Sequence, residues 1–379
     1  MDFNMTEDQK AFVQIAKDFA AKKLAPTIEE RDMNGTFDRA LIDEMLSLGL
    51  AGTYFPEEYG GAGADVLSYI MTVEEISKVD PGVGITLSGQ VSLAANPIWQ
   101  FGTDAQKEKY LKPLAEGTKM GAFALTEPNA GTDAAQQMSV AVKEGDFYVV
   151  NGSKMFITNA GEADIYIIFV MTDKSKGTKG ISGFILEKGT PGFTFGKTEH
   201  KMGIHTSITK ELIFQDCKIP AENLLGKEGK GFSIAMQTLD GGRIGVAAQA
   251  LGIAEGALAH AIEYSKQRVQ FGKPICTKQA IAFMLADMAT EIEASRWLVY
   301  DAAMAKQEGK PFSVKAAMAK MFASDSAMDV TVKAVQIYGG YGYSEEYPVA
   351  RAMRDAKITQ IYEGTNEVQR MVTSGALLH

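Results

Sequence analysis

The chain has 379 residues, a length that suggests two or three packed regions rather than one core. Its 46% hydrophobic and 22% charged residues are ordinary for a globular protein, and a net charge of −9 argues against a nucleic-acid backbone as the main partner. The two cysteines, Cys217 and Cys276, stand far apart, so neither a disulfide scaffold nor a zinc site is expected.

The opening MDFNMTEDQK lacks the basic-then-apolar order of a secretory signal and the Arg-rich character of a transit peptide. No apolar run reads as a bilayer span, so a cytoplasmic protein without a membrane role is expected. Thr6-x-x-Gln9 reads as a capping box before a helix with Phe12, Ile15, Ala16, Phe19 and Ala20 on one face, closed by Pro26. A second helix begins at Asp38, buries Leu41, Ile42, Met45 and Leu46, and ends at Gly49. A third starts at Asp65 and runs through Ile70, Val73 and Ile76.

Near Gly121 the pattern changes to short β-rich runs: Phe147 to Val150, Ile165 to Met171, Ile181 to Leu186 and Glu211 to Phe214. Asn151-Gly152 predicts a hairpin turn. Helical periodicity returns after Gly231, with Ala- and Met-rich segments over roughly 243–267, 278–307 and 314–338, separated by Gly-rich breaks at 271–274 and 339–342. The expected fold is mainly α with a central β-domain, divided at 1–120, 121–228 and 229–379. The absence of βαβ alternation disfavours a doubly wound sheet.

No G-x-G-x-x-G follows a strand, and the P-loop, H-E-x-x-H and G-x-S-x-G patterns are absent. His200, His205, His260 and His379 have no ligand-like or triad-like spacing, and no metal is expected. Three segments combine turn residues with polar groups beside apolar runs. They are Phe123-Ala-Leu-Thr126-Glu127-Pro128 through Gly131-Thr132-Asp133; Lys154-Met-Phe156-Ile157-Thr158-Asn159; and Gln360-Ile-Tyr362-Glu363-Gly364-Thr365-Asn366-Glu367. Taken singly, each has an ordinary reading as a strand end, a strand or a helix-capping loop.

Together, and in this order, they resemble the acyl-CoA dehydrogenase family over nearly the whole chain, nearest to its butyryl-CoA (short-chain) members. Leu239-Asp240-Gly-Gly-Arg243, Gln267-Arg268-Val-Gln-Phe271-Gly272 and Gln336-Ile-Tyr-Gly-Gly340-Tyr-Gly-Tyr343 match as well. The resemblance implies an N-terminal helical domain, a middle β-barrel-like domain and a C-terminal four-helix bundle. It also implies FAD held without a Rossmann fold.

On that likeness Phe123, Leu125, Thr126 and Thr132 belong to the flavin segment, with Thr126 near the N1–O2 edge. Phe156 and Ile157 lie beside the ring, and Thr158 near N5. Arg268, Phe271 and Gln279, with Gln336, Ile337, Gly339 and Gly340, reach the FAD of a neighbouring subunit. Thr365, Asn366 and Glu367 line the adenine-side phosphates. Thr132, where the family usually has Ser, Asp240, Arg243 and Gly364 contact the acyl-CoA. Glu363 is the implied base for the α-proton, since the other position used in the family is here Gly242. The resemblance further implies an electron-transferring flavoprotein as redox partner and a homotetramer. An acyl-CoA oxidase or flavin monooxygenase on the same fold, and a non-catalytic acyl-CoA-binding scaffold, are the competing readings.

Overall fold

The computed structural model describes residues 4–378, so His379 lies outside the described residues. Helix α1 (Glu7–Phe19) starts with the expected capping box: Thr6 Oγ1 accepts from Gln9 N, and Gln9 Oε1 accepts from Thr6 N. After Pro26 follow α2 (Ile28–Asn34), which the sequence reading did not place, and α3 (Arg39–Ser47), N-capped by Asp38. Asp65 caps α4 (Val66–Ser77), and Asp80 caps α5 (Pro81–Ser88) by accepting from Gly82 N and Val83 N. A π-helical segment, Gly89–Ala95, continues α5 into α6 (Asn96–Phe101), and the short α7 (Asp104–Gln106) and α8 (Lys112–Ala115) complete this part.

Strands β1 (Gly121–Ala124), β2 (Val140–Glu144), β3 (Phe147–Thr158), β4 (Ile165–Met171), β5 (Ile181–Glu187), β6 (Phe193–Thr198), β7 (Thr209–Pro220) and β8 (Leu224–Leu225) form one sheet. Its order is β6-β7-β3-β2-β4-β5-β8, with β1 pairing parallel to β4. All seven residues of β4 are buried, which explains why this strand reads as an unbroken apolar run.

Asn151-Gly152 is not a hairpin turn. The β2–β3 turn lies at Gly145-Asp146, and β3 continues straight through Asn151 as one strand. Gly152 (φ +139°) marks a bulge against β7, where an added Cβ would stand 2.3 Å from Ser139 Oγ. Pairing with the long partner strand, reinforced by Asn151 Nδ2 donating to Asp216 Oδ1, overrides the local turn preference.

The last part holds α9 (Gly231–Gln267), a β9–β10 hairpin (Val269–Gln270, Lys273–Pro274), α10 (Gln279–Gln307), α11 (Ser313–Tyr338), α12 (Pro348–Thr359) and α13 (Asn366–Leu378). The helix expected from about Arg243 begins already at Gly231. Gly241 and Gly242 do not break it, because neighbours close against them: an added Cβ at Gly241 would meet Lys306 Nζ at 2.9 Å. By length and composition α9 alone among the described helices is apolar enough to cross a membrane. Yet 72% of its most apolar window is buried inside the protein, packed by α4, α10, α11 and α12.

Candidate active site

Glu363 lies in the turn between α12 and α13 with φ +52°, a left-handed conformation that costs a residue bearing a Cβ about 1–3 kcal/mol. Side chains from three helices hold this turn. From α9, Arg243 Nε donates to Glu363 O at 3.3 Å. From α13, Gln369 Nε2 donates to the same carbonyl at 3.3 Å and to Gly364 O at 2.8 Å. From α11, Lys320 Nζ donates to Gly364 O at 2.8 Å. Gly364 follows with φ +93°, so the reversal uses two consecutive positive-φ residues.

The Glu363 carboxyl is enclosed at its tip: Oε2 is buried and has no hydrogen-bond partner. It lies against α9 where Gly242 has no side chain, and an added Cβ there would stand 2.1 Å from Oε2 and 2.7 Å from Leu93 Cδ2. Burial pushes this carboxyl up to about 7, while the positive charges of Arg243 and Lys320 pull it down. A carboxylate balanced near neutrality can accept a proton from a weak carbon acid. Arg243 is fixed by donating through Nη1 to Asp240 Oδ1 at 2.5 Å. Tyr362, half-buried next to Glu363, donates to Gln249 Oε1, whose amide donates to Pro81 O at 2.9 Å.

The segments around Thr126 and Thr158 meet in the β-domain, where Met155 N donates to Thr126 O at 2.8 Å. Phe156 is held at φ +59° and is 60% exposed, a large apolar side chain presented outward by β3. Ile157 points the other way into the core, so only its backbone is available on the Phe156 side. Beneath these residues Lys154, fully buried, donates to Glu127 Oε1 at 2.6 Å, Gln137 Oε1 at 3.1 Å and Leu125 O at 3.2 Å. Glu127 also accepts from Met138 N and Ser139 N, which fixes the loop carrying the exposed Thr132.

One short stretch connects the two halves of the site. An added Cβ at Gly89 would stand 3.6 Å from Nδ2 of Asn159, the residue after Thr158, and one at Gly242 would stand 2.7 Å from Leu93 Cδ2 in the same π-helical segment. Asn159 is anchored in turn by donating to Gly121 O at 3.1 Å.

Arg268, Phe271, Ile337, Gly339 and Gly340 gather in a separate cleft of about 640 Å³ with Lys278 and Tyr341. Phe271 is 93% exposed at the hairpin tip, and the Arg268 guanidinium lies 5.6 Å from the Tyr341 ring centroid. Gln279 and Gln336 are exposed on α10 and α11 beside it, and Glu367 and Thr365 flank the Glu363 turn. Asn366 turns inward, donating to Asp325 Oδ1 at 2.7 Å and Ser324 Oγ at 2.9 Å.

Sequence reasoning missed Lys320, Gln369 and Leu93, and it gave Lys154 and Tyr362 no role within the segments that stand out. Lys320 left one signal, a single lysine in the otherwise apolar run Ala316-Ala-Met-Ala-Lys320-Met-Phe.

Fold and site together define a helical–β–helical protein in which the Glu363 carboxyl is enclosed at the meeting point of α9, α11 and α13. Residues 6–118, 122–217 and 229–378 match the N-terminal, middle and C-terminal domains of acyl-CoA dehydrogenase. The chain is 71% identical to the short-chain specific acyl-CoA dehydrogenase of Megasphaera elsdenii and 57% identical to that of Clostridium acetobutylicum, covering 100% of each chain. It superposes on the butyryl-CoA dehydrogenase structure from Megasphaera elsdenii with a TM-score of 0.99, 71% identity and full coverage of both chains. A chain solved in work on the electron transferring flavoprotein of Acidaminococcus fermentans gives a TM-score of 1.00 at 68% identity, again over 100% of both. The chain belongs to the acyl-CoA dehydrogenase family.

Proposed function

We propose that this protein is an FAD-dependent dehydrogenase of short-chain acyl-CoA thioesters, converting butyryl-CoA to crotonyl-CoA or running that reaction in reverse. The observation that carries the reading is Glu363: an enclosed carboxyl with an unpartnered Oε2, aimed over Gly242 by a strained turn. Its role is to take the α-proton of the thioester. Desolvation makes it a stronger base than an exposed carboxylate, and a positioned base is worth about 10²–10⁴-fold in rate.

The residues present fit FAD. Arg268 and Lys278 suit a pyrophosphate, and the Tyr341 and Phe271 rings suit an aromatic ligand in the same cleft. Phe156 stands exposed next to Thr158 and the Thr126 segment, where the isoalloxazine ring is expected. Bound FAD would supply the two-electron acceptor for the β-hydrogen. The exposed hairpin cleft serves the cofactor of an adjoining copy in a homotetramer.

Gly364 and Arg243 shape the thioester pocket, Asp240 orients Arg243, and Thr132 offers a hydroxyl to the CoA arm. The redox partner is an electron-transferring flavoprotein, and the setting is cytoplasmic.

An anaerobic absorbance spectrum before and after butyryl-CoA tests the reading. A bound flavin spectrum that bleaches supports it. A flavin spectrum unmoved by butyryl-CoA overturns the short-chain assignment, and failure to bind FAD overturns the dehydrogenase reading.

A further inference from the structure

Lys320 is fully buried in α11, and no carboxylate lies within ion-pair distance of it among the described residues. Burying an ammonium without a counter-ion costs several kcal/mol, so helices normally keep lysines at the surface. Its hydrogen bonds all go to one place. Nζ donates to Gly364 O at 2.8 Å and to Asn366 Oδ1 at 2.9 Å, the first and third residues after Glu363.

The clamp is itself braced. Asn366 passes its amide protons to Asp325 Oδ1 and Ser324 Oγ, both on α11. The Glu363–Asn366 turn is thereby stapled to one face of α11 at three points spanning little more than one helical turn.

We propose that Lys320 is a positioning residue for Glu363, its ammonium fixing the Gly364 carbonyl and thereby the aim of the carboxylate over Gly242. This rests on Glu363 being the base. The proton that leaves the substrate ends on the Glu363 carboxyl, and Lys320 exchanges none with the substrate. The lysine acts through the backbone and through its charge.

A neutral amide in its place would serve as a donor but would not favour the ionised base. The other charged or titratable groups facing this pair are Arg243 and Asp240 from α9, Asp325 from α11, Glu367 and Arg370 from α13, Tyr69 from α4 and Tyr362 in the turn itself. Asp325 pairs with Arg370 at 3.1 Å, and Asp240 pairs with Arg243. Burial brings Lys320 down to about 7, close to the base, so the charge is present as the pH falls toward the range where Glu363 protonates.

The test compares wild type, Lys320→Met and Lys320→Gln as FAD-loaded protein. The readouts are kcat and KM for butyryl-CoA from about pH 6 to about pH 9, and backbone amide deuterium exchange over residues 362–369. In Lys320→Met the proposal expects kcat to fall by about 10–100-fold with KM nearly unchanged. It expects the acid limb of the kcat profile to move to higher pH and exchange in the turn to quicken. Lys320→Gln, which keeps an N–H but loses the charge, should restore part of the exchange protection but leave the acid limb displaced. In whichever variant folds, a wild-type kcat, acid limb and exchange pattern overturns the proposal. Loss of butyryl-CoA oxidation in wild type, or full turnover by Glu363→Gln, sinks the base assignment instead.

Discussion

The Glu363 carboxyl and Gly242 share one space: a methyl group on Gly242 would stand 2.1 Å from Glu363 Oε2. These residues are far apart in sequence, on the α12–α13 turn and on α9. The glycine keeps α9 open where the Glu363 carboxyl is held, and its neighbour Arg243 bonds the Glu363 carbonyl. Gly242→Ala should therefore displace the carboxylate without opening the fold. A misplacement of about 1 Å is expected to lower kcat by about 10²-fold, while FAD content stays as in wild type. Steady-state kinetics beside a flavin-to-protein absorbance ratio checks this, and an unchanged kcat would contradict the geometry.

Glu363 also sets a pH dependence of stability. Its carboxyl is raised from 4.5 to about 7 on folding, so the ionised form opposes the fold. The group costs nothing below about pH 4.5, its cost grows as pH rises from there to about 7, and above that it stays constant. Glu363→Gln should match wild type near the acid end and exceed it above neutrality by about 1–3 kcal/mol, the lower part applying if solvent screens the open side of the pocket. Urea unfolding at two pH values measures it. A Gln variant that is less stable than wild type at the alkaline end would refute the assignment of a strained, desolvated base.

The ion pair beneath the Thr126 and Thr158 segments supplies a coupling test. Lys154 is fully buried on Glu127, and burial brings it down to about 8 despite that partner. Lys154→Met leaves a buried carboxylate short of its counter-ion and should cost about 3–5 kcal/mol. The double change Lys154→Met with Glu127→Gln should cost less than the sum of the single changes, because neither partner is then stranded. A double-mutant cycle by chemical denaturation reads the coupling directly, and strict additivity would argue against the pair.

Arg268 stands exposed on the cleft lined by Phe271, Lys278 and Tyr341. Arg268→Ala is expected to weaken FAD retention by about 10–100-fold, or ~1.4–2.8 kcal/mol, with Arg268→Lys in between because it loses the two-pronged contact. Flavin fluorescence released on dilution follows the loss. Retention equal to wild type in Arg268→Ala would remove the arginine from the cofactor site.

Local chemistry was legible where the physics is local. The Thr6–Gln9 capping box, the Asp38 and Asp65 caps and the all-apolar β4 can be read from a few neighbouring residues, and each appears as read. Asn151-Gly152 shows the limit of such reading: its turn preference is worth less than pairing along β7, and the glycine was needed for Ser139 instead. Helix α5 also went unread, since Gly82 and Gly84 are there to admit Thr206 and Ser77 rather than to end a helix.

The sequence by itself determined the order of helical, β and helical regions and, through its motifs, the residues to suspect, Glu363 first among them. It could not determine what that carboxyl would be. Its raised pKa comes from burial opposed by Arg243 and Lys320, its room from Gly242, and its left-handed turn from Gln369, Lys320 and Arg243. Desolvation and charge depend on distances in space between residues that are remote along the chain. Only the packing of α9, α11 and α13 around one turn makes those distances short.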